Sequence, residues 1–333
     1  MVLTAVAFHY VNLWGLVVLL FFMGAQSTFF GPLKFSILPQ HLKDDELVAG
    51  NGLVSAGTYI AILSGTLCGG LFILSAHGRE YISAGVVGVA VLGYAASMYI
   101  PKAEAPAPDM KIDWNAFRST WGILSYVMPN KPVFGSILGI SWFWFLGAVF
   151  LAQFPTFSKD ILGGNEQVST LFLVIFSVGV GFGSTLCNRL LHGRVSGRLV
   201  PLACIGISAS TVLLYIFSMF AVKYDVLVGA IDFAASPSSW GIMLGLFLLA
   251  ASGGIFSVPM YAIMQSKSSD EHRARVVACL NILDSFGMVL SAVFTAVMLM
   301  FNISIINIFL IIGGINLLLT PLLRRLAGVE SGS

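Results

Sequence analysis

Charge is what this chain has least of. Asp, Glu, Lys and Arg make up 10% of its 333 residues, against roughly 25% in soluble domains. Most of the chain therefore does not face water, and a soluble core of this length cannot hide an apolar share of 57% gathered into long runs. Cysteine is sparse too. Cys68, Cys187, Cys204 and Cys279 lie in or beside apolar runs, with neither metal-ligand spacing nor a secreted pairing pattern, and read as small apolar residues. There is no HExxH, no Walker loop, no GxSxG and no His/Cys cluster, so no enzyme, metal or cofactor is expected. His9, His41, His77, His192 and His272 are scattered over loops and helix ends and read as interfacial residues. The net charge of +2 is spread through short loops and points to no nucleic-acid partner. The opening "MVLTAVAFHYVNLW" lacks the basic start and small-residue cleavage site of a signal peptide.

What is present is a succession of apolar runs, each near the roughly 20 residues that cross a bilayer as a helix. Nine spans are expected, at about 12–37, 47–74, 80–100, 133–155, 166–188, 199–221, 240–263, 275–300 and 303–323. The expected fold is an all-α, polytopic membrane protein, because a backbone in lipid must satisfy its own hydrogen bonds. Lys and Arg divide unevenly between the two sides of such a bundle. Fourteen fall on one side and only Arg79, Lys159 and Lys223 on the other. The positive-inside rule then puts the C-terminus in the cytoplasm and the N-terminus outside.

The longest polar segment is residues 101–132. It opens as a Pro/Ala linker, then Trp114, Phe117, Trp121, Leu124 and Met128 follow helical spacing after Asp113, a suitable N-cap. We expect an interfacial amphipathic helix there. The chain thus divides into 1–100 with three spans, the cytoplasmic linker 101–132, and 133–333 with six spans and a short tail. Glycine-rich stretches such as "SGTLCGGLF" and "SVGVGFGS" suit close helix packing. A faint internal echo links residues 29–57 with 256–287: Pro32 matches Pro259 and Asn51 matches Asn281. Such an echo suits a transporter built from two parallel repeats, and three helices would then be missing before residue 11.

Four residues are candidates for substrate binding. Asp284 lies nine residues, about 14 Å of helix, beyond Arg275, near the membrane midplane. A carboxylate there costs roughly 2.5–3.5 kcal/mol and should face a cavity or a partner. Asn281 shares its face. Lys34 closes the first span in "GPLKFSILPQ", where it can snorkel or bind an anionic group, and Asn51 lies at a depth where the two side chains could meet. Pro32 can bend that helix and Pro39 favours its end. Gln26, Ser27 and Thr28 read as residues bonding their own backbone. Trp142 and Trp144 lie deep enough to line a cavity or to pack. "NRLLHGRVSGR", residues 188–198, reads as a topogenic basic turn.

Two stretches carry a family resemblance: "GAQSTFFGPLKFSILPQHLKDDELVAGNGLVSAGTYIAILSGTLCGG", and "GGIFSVPMYAIMQ" with "NILDS". With them the chain resembles the major facilitator superfamily, and within it the lysophospholipid transporter group, including the membrane domain of bifunctional acyl-ACP synthetase/acyltransferase proteins. The resemblance implies a major facilitator-type bundle, N-terminally truncated to about nine of twelve helices. It also implies a bacterial inner-membrane location, and movement of lysophospholipid from outer to inner leaflet for re-acylation by a separate acyltransferase. Where that family usually has an acidic residue four positions after the Asn matching Asn51, this chain has Ser55, which puts a charge-dependent role of the second span in doubt. Transport or export of another small solute or drug, and a non-transporting truncated membrane remnant, remain as alternatives.

Overall fold

The computed structural model describes residues 6–7, 13–73, 75–103, 115–221, 226–269 and 272–326. Nine long helices occupy the nine expected spans: α1 (Leu13–Ser36), α3 (Leu47–Ile73), α4 (Gly78–Ser97), α6 (Lys131–Thr156), α7 (Glu166–Leu191), α8 (Val200–Met219), α10 (Pro237–Ser266), α11 (Arg273–Met300) and α12 (Ile305–Leu326). Between them lie the short α2 (Leu38–His41), α5 (Ala116–Val127) and α9 (Ala230–Ala235). Among the described residues the only extended pairing is an isolated bridge between Gly164 and Val228. Eight helices are long and apolar enough to span a bilayer. In the ninth, α1, the continuously described apolar stretch is Leu13–Ser27.

Local chemistry sets many boundaries. The Asn130 and Asn165 side chains accept hydrogen bonds from Val133 N and Gln167 N, capping α6 and α7. Prolines occupy the first turns of α2, α6, α8 and α10, where a missing N–H costs nothing. Pro39 therefore starts α2, while α1 ends earlier, at Ser36. The amphipathic helix α5 begins later than expected. Its cap is Asn115, whose side chain accepts from Arg118 N at 3.0 Å, and the expected cap Asp113 and Trp114 lie outside the described residues. α5 docks through Tyr126, stacked on His272 with ring centroids 4.4 Å apart.

α10 is the central post of the bundle, packed against α7, α8, α6 and α3. α6 also meets α11 and α12, α12 meets α8, α3 meets α7, and α1 leans on α11. The core is aromatic. Phe154 meets Phe172 and Phe176 edge-on at 6.0 and 5.8 Å, and Phe157 lies 5.4 Å from Phe309. Where α7 crosses α10, Gly179 lies so close that a Cβ there would sit 2.8 Å from Phe247 O. The "SVGVGFGS" stretch packs closely, as the sequence suggests. "SGTLCGGLF" differs: Gly65 and Gly69 have nothing within 4 Å of a Cβ, because no helix among the described residues covers that face of α3.

One end of the bundle carries the 37–46 and 192–199 connections, the end of α4, the start of α6, the end of α10, the start of α11 and the end of α12. It is called the basic end below.

Candidate functional site

The candidate site lies where α1 meets α10 and α11. A cavity of about 240 Å³ is lined by Lys34, Asn281 and Asp284, together with Ser27, Phe35, Trp144, Tyr261, Ser285 and Met288. Three of the four candidate residues thus share one space, though they come from helices almost 250 residues apart in sequence.

Asp284 is 8% exposed. One carboxylate oxygen accepts a hydrogen bond from Ser141 Oγ of α6 at 2.7 Å, which holds the group in place without neutralising it. Asn281, one turn away, has no side-chain hydrogen bond within the described residues, so its amide is available to the cavity. Ser285 turns its hydroxyl back to Asn281 O at 2.8 Å.

Lys34 does not snorkel to the basic end. Its Nζ donates to Thr58 Oγ1 at 3.5 Å and lies 5.0 Å from the centre of the Phe35 ring. Thr58 is eleven residues into α3, about 16 Å from its start, so the ammonium is directed toward the middle of the bundle. The Thr58 hydroxyl donates in turn to Val54 O at 2.7 Å, leaving its oxygen lone pairs toward Lys34. No ion pair joins Lys34 to Asp284. The cavity therefore presents a cation and a carboxylate that do not satisfy each other.

Asn51 lies outside this cavity and does not meet Lys34. It is fully buried and turned toward α10. Its Nδ2 donates to Leu47 O at 2.8 Å and to Gln265 Oε1, and Gln265 Nε2 returns a bond to Asn51 Oδ1 at 3.1 Å. The expected partner Lys34 is replaced by Gln265 because Asn51 faces α10 at the basic end, seven residues, about 10 Å, from Thr58. The echoed position Asn281 faces the cavity, so the two matched asparagines have different surroundings.

The two candidate tryptophans also separate. Trp144 lines the cavity and donates from Nε1 to Tyr261 Oη at 3.1 Å, while Tyr261 stacks on Phe35 at 4.4 Å and 9°. Trp142 instead donates to Asn316 Oδ1 at 3.0 Å, and Asn316 Nδ2 donates to Cys204 O and Ser208 Oγ, which ties α6, α12 and α8 together. Ser27 lines the cavity, although its sequence context suggested only a backbone-bonding role; the side chain of Thr28 lies outside what is described. Phe35 and Ser141 were not singled out in the sequence, since one aromatic or hydroxyl among many is not informative until a neighbour is known; Tyr261 and Gln265 lie in the stretch "GGIFSVPMYAIMQ" that carries the resemblance, which gave them no individual role. The basic turn is built as a turn: His192 (φ 50°) and Gly193 (φ 73°) end α7 in left-handed geometry, and Arg198 Nη2 donates to Leu190 O.

Helices long and apolar enough to span a bilayer, packed beside an open cavity with polar groups in its lining, define an integral membrane protein. The Major Facilitator Superfamily sequence model matches residues 1–231, and the chain belongs to that superfamily. It is 28% identical over 255 residues to the lysophospholipid transporter LplT of Photorhabdus laumondii, covering 73% of this chain and 56% of that protein. The proteins of the same name from Escherichia fergusonii and Escherichia coli K12 are 25% and 24% identical, over 80% and 86% of this chain and 63% and 67% of theirs. The chain thus spans roughly three fifths of the length of these curated relatives. No solved structure matches it.

Proposed function

We propose that the chain serves as a membrane transporter rather than an enzyme, and that its substrate is a lysophospholipid with a zwitterionic head group, such as lysophosphatidylethanolamine. The observation that carries this reading is the unpaired Lys34 and Asp284 in one cavity. A phosphate satisfies the first and an ammonium the second, with the Asn281 amide between donor and acceptor roles. The wall of Phe35, Trp144 and Tyr261 adds an apolar surface and a cation–π face. The names of the relatives support the same substrate class.

In this reading the lipid moves from the outer to the inner leaflet of a bacterial inner membrane, where a separate acyltransferase re-acylates it. The basic end faces the cytoplasm. A reporter fused after Arg325 should be active only in the cytoplasm; activity on the other side overturns the orientation.

The substrate test is uptake of labelled lysophosphatidylethanolamine by membranes containing the chain. Asp284→Asn keeps an acceptor for Ser141 and removes the charge. Because a lost charged contact is worth about 1.5–3 kcal/mol, uptake should fall about tenfold or more with the amount of folded protein unchanged. Unaltered uptake would leave Asp284 a structural role. Uptake of a labelled small solute, without lysolipid uptake, favours the other-solute alternative. Neither binding nor uptake favours a non-transporting chain.

A further inference from the structure

The floor of the cavity toward the basic end is a seam between two groups of helices, α1 to α3 on one side and α7 with α10 on the other. Three layers close it. Nearest the cavity, Phe35 stacks on Tyr261. Beside the ends of α3 and α7, Leu47, Val48, Cys187, Leu191, Val258 and Ala262 form a small buried cluster separate from the main core. Between α3 and the last turn of α10 lies the Asn51–Gln265 pair. Backbone also approaches closely across the seam: a Cβ on Gly52 would sit 3.1 Å from Ser184 O, and one on Gly193 2.8 Å from Asp45 O.

The amide pair is saturated. Asn51 Nδ2 spends its two hydrogens on Leu47 O and Gln265 Oε1, and Gln265 Nε2 spends its two on Asn51 Oδ1 and Phe35 O, the latter at 3.0 Å. Every donor of both side chains is used, and only in this arrangement. Gln265 thereby grips three elements, α3 through Asn51, α10 through its own backbone, and α1 through the carbonyl next to Lys34. Such a pair differs from an apolar plug in one respect. When a seam opens to water, amides exchange protein partners for water at small net cost, whereas exposed leucines do not. A saturated amide pair therefore closes a seam specifically while leaving it able to open.

We propose that Asn51 and Gln265 are the latch of a gate at the basic end, and that the described structure is its closed state. Releasing the latch frees the Phe35 carbonyl, and with it the segment that carries Lys34, so gate and head-group site move together. The proposal rests on the transporter reading for its purpose, but the latch can be read without any transport assay.

Cys187, buried in the sealing cluster, is a native reporter. In a chain with Cys68, Cys204 and Cys279 replaced by Ala, its alkylation by a hydrophilic maleimide is followed in membranes made permeable from both sides. The parent should label slowly. Gln265→Leu removes the latch, and Gln265→Glu keeps the size while removing both donors. Each should speed labelling about tenfold or more, as expected when an open state becomes substantially populated. Asn51→Leu combined with Gln265→Leu closes the seam with an apolar pair and should bring the rate back toward the parent's. Should Gln265→Leu fail to accumulate, the isosteric Gln265→Glu decides. A Cys187 that stays sealed in a folded Gln265 variant overturns the latch. Adding lysophosphatidylethanolamine to the parent separates the two readings: faster labelling supports both, and variants that unlatch while lipid has no effect support the latch and count against the substrate.

Discussion

The two parts of this bundle use glycine in opposite ways. In the region from α6 to α12, a Cβ added to Gly179, Gly254, Gly245 or Gly253 would meet a neighbouring helix at 3.0 Å or less, and Gly183 lies directly against Ala251 O. In α1, α3 and α4, a Cβ on Gly24, Gly57, Gly65, Gly69, Gly85, Gly88 or Gly93 would touch nothing within 4 Å. Burial shows the same contrast at its extremes, with 61% of the apolar stretch of α10 buried and none of that of α4, though α11, at 17%, is less buried than α3, at 28%. Gly50 and Gly52, at the seam, break the pattern on one side, and Gly147 and Gly314, with nothing within 4 Å of a Cβ, break it on the other. Small residues in a membrane helix thus permit close approach without causing it. A helix gains packing energy only where a partner is present, and the candidate cavity lies on the border between the filled region and the open one.

The largest effect expected of this contrast is at Gly183. Gly183→Val drives a branched side chain into Ala251 backbone that cannot move aside. Overpacking of this kind costs about 1–3 kcal/mol or more, so the monodisperse, folded fraction in detergent should collapse. A normal thermal midpoint for this variant would break the comparison. Next comes Asn316→Leu, which leaves Trp142 Nε1 without its acceptor inside the filled region. An orphaned buried donor costs about 1–3 kcal/mol, visible as a lower thermal midpoint with lysolipid binding retained. Lys34→Met, on the border, should show the reverse: unchanged thermal stability but weaker lysolipid binding, by about tenfold, with Lys34→Arg closer to the parent. Equal binding by Lys34→Met would reduce Lys34 to a filler of space beside Thr58. The smallest effect belongs to the open region, where Gly65→Ala should shift stability by no more than about 0.5 kcal/mol. A large loss there would mean that another helix covers that face in the membrane.

The sequence by itself determined where the membrane helices run. All nine expected spans coincide with long helices, eight of them long and apolar enough to cross a bilayer, because crossing a bilayer is a local demand on length and apolarity. It also pointed to Asp284, since a carboxylate far from any helix end stands out against an apolar run. Side-chain direction and partnership were decided only by the tertiary structure. Lys34 sits near a helix end, where reach to the interface and reach to the cavity are equally open to a long stem; the position of Thr58 across from it decided for the cavity. Asn51 and Asn281 occupy matching sequence contexts, yet one is clasped to Gln265 and the other faces open space. A helical segment specifies which of its residues share a face, but not what lies opposite that face. Neighbours on other helices supply that, 24 residues away for Lys34 and 214 for Asn51.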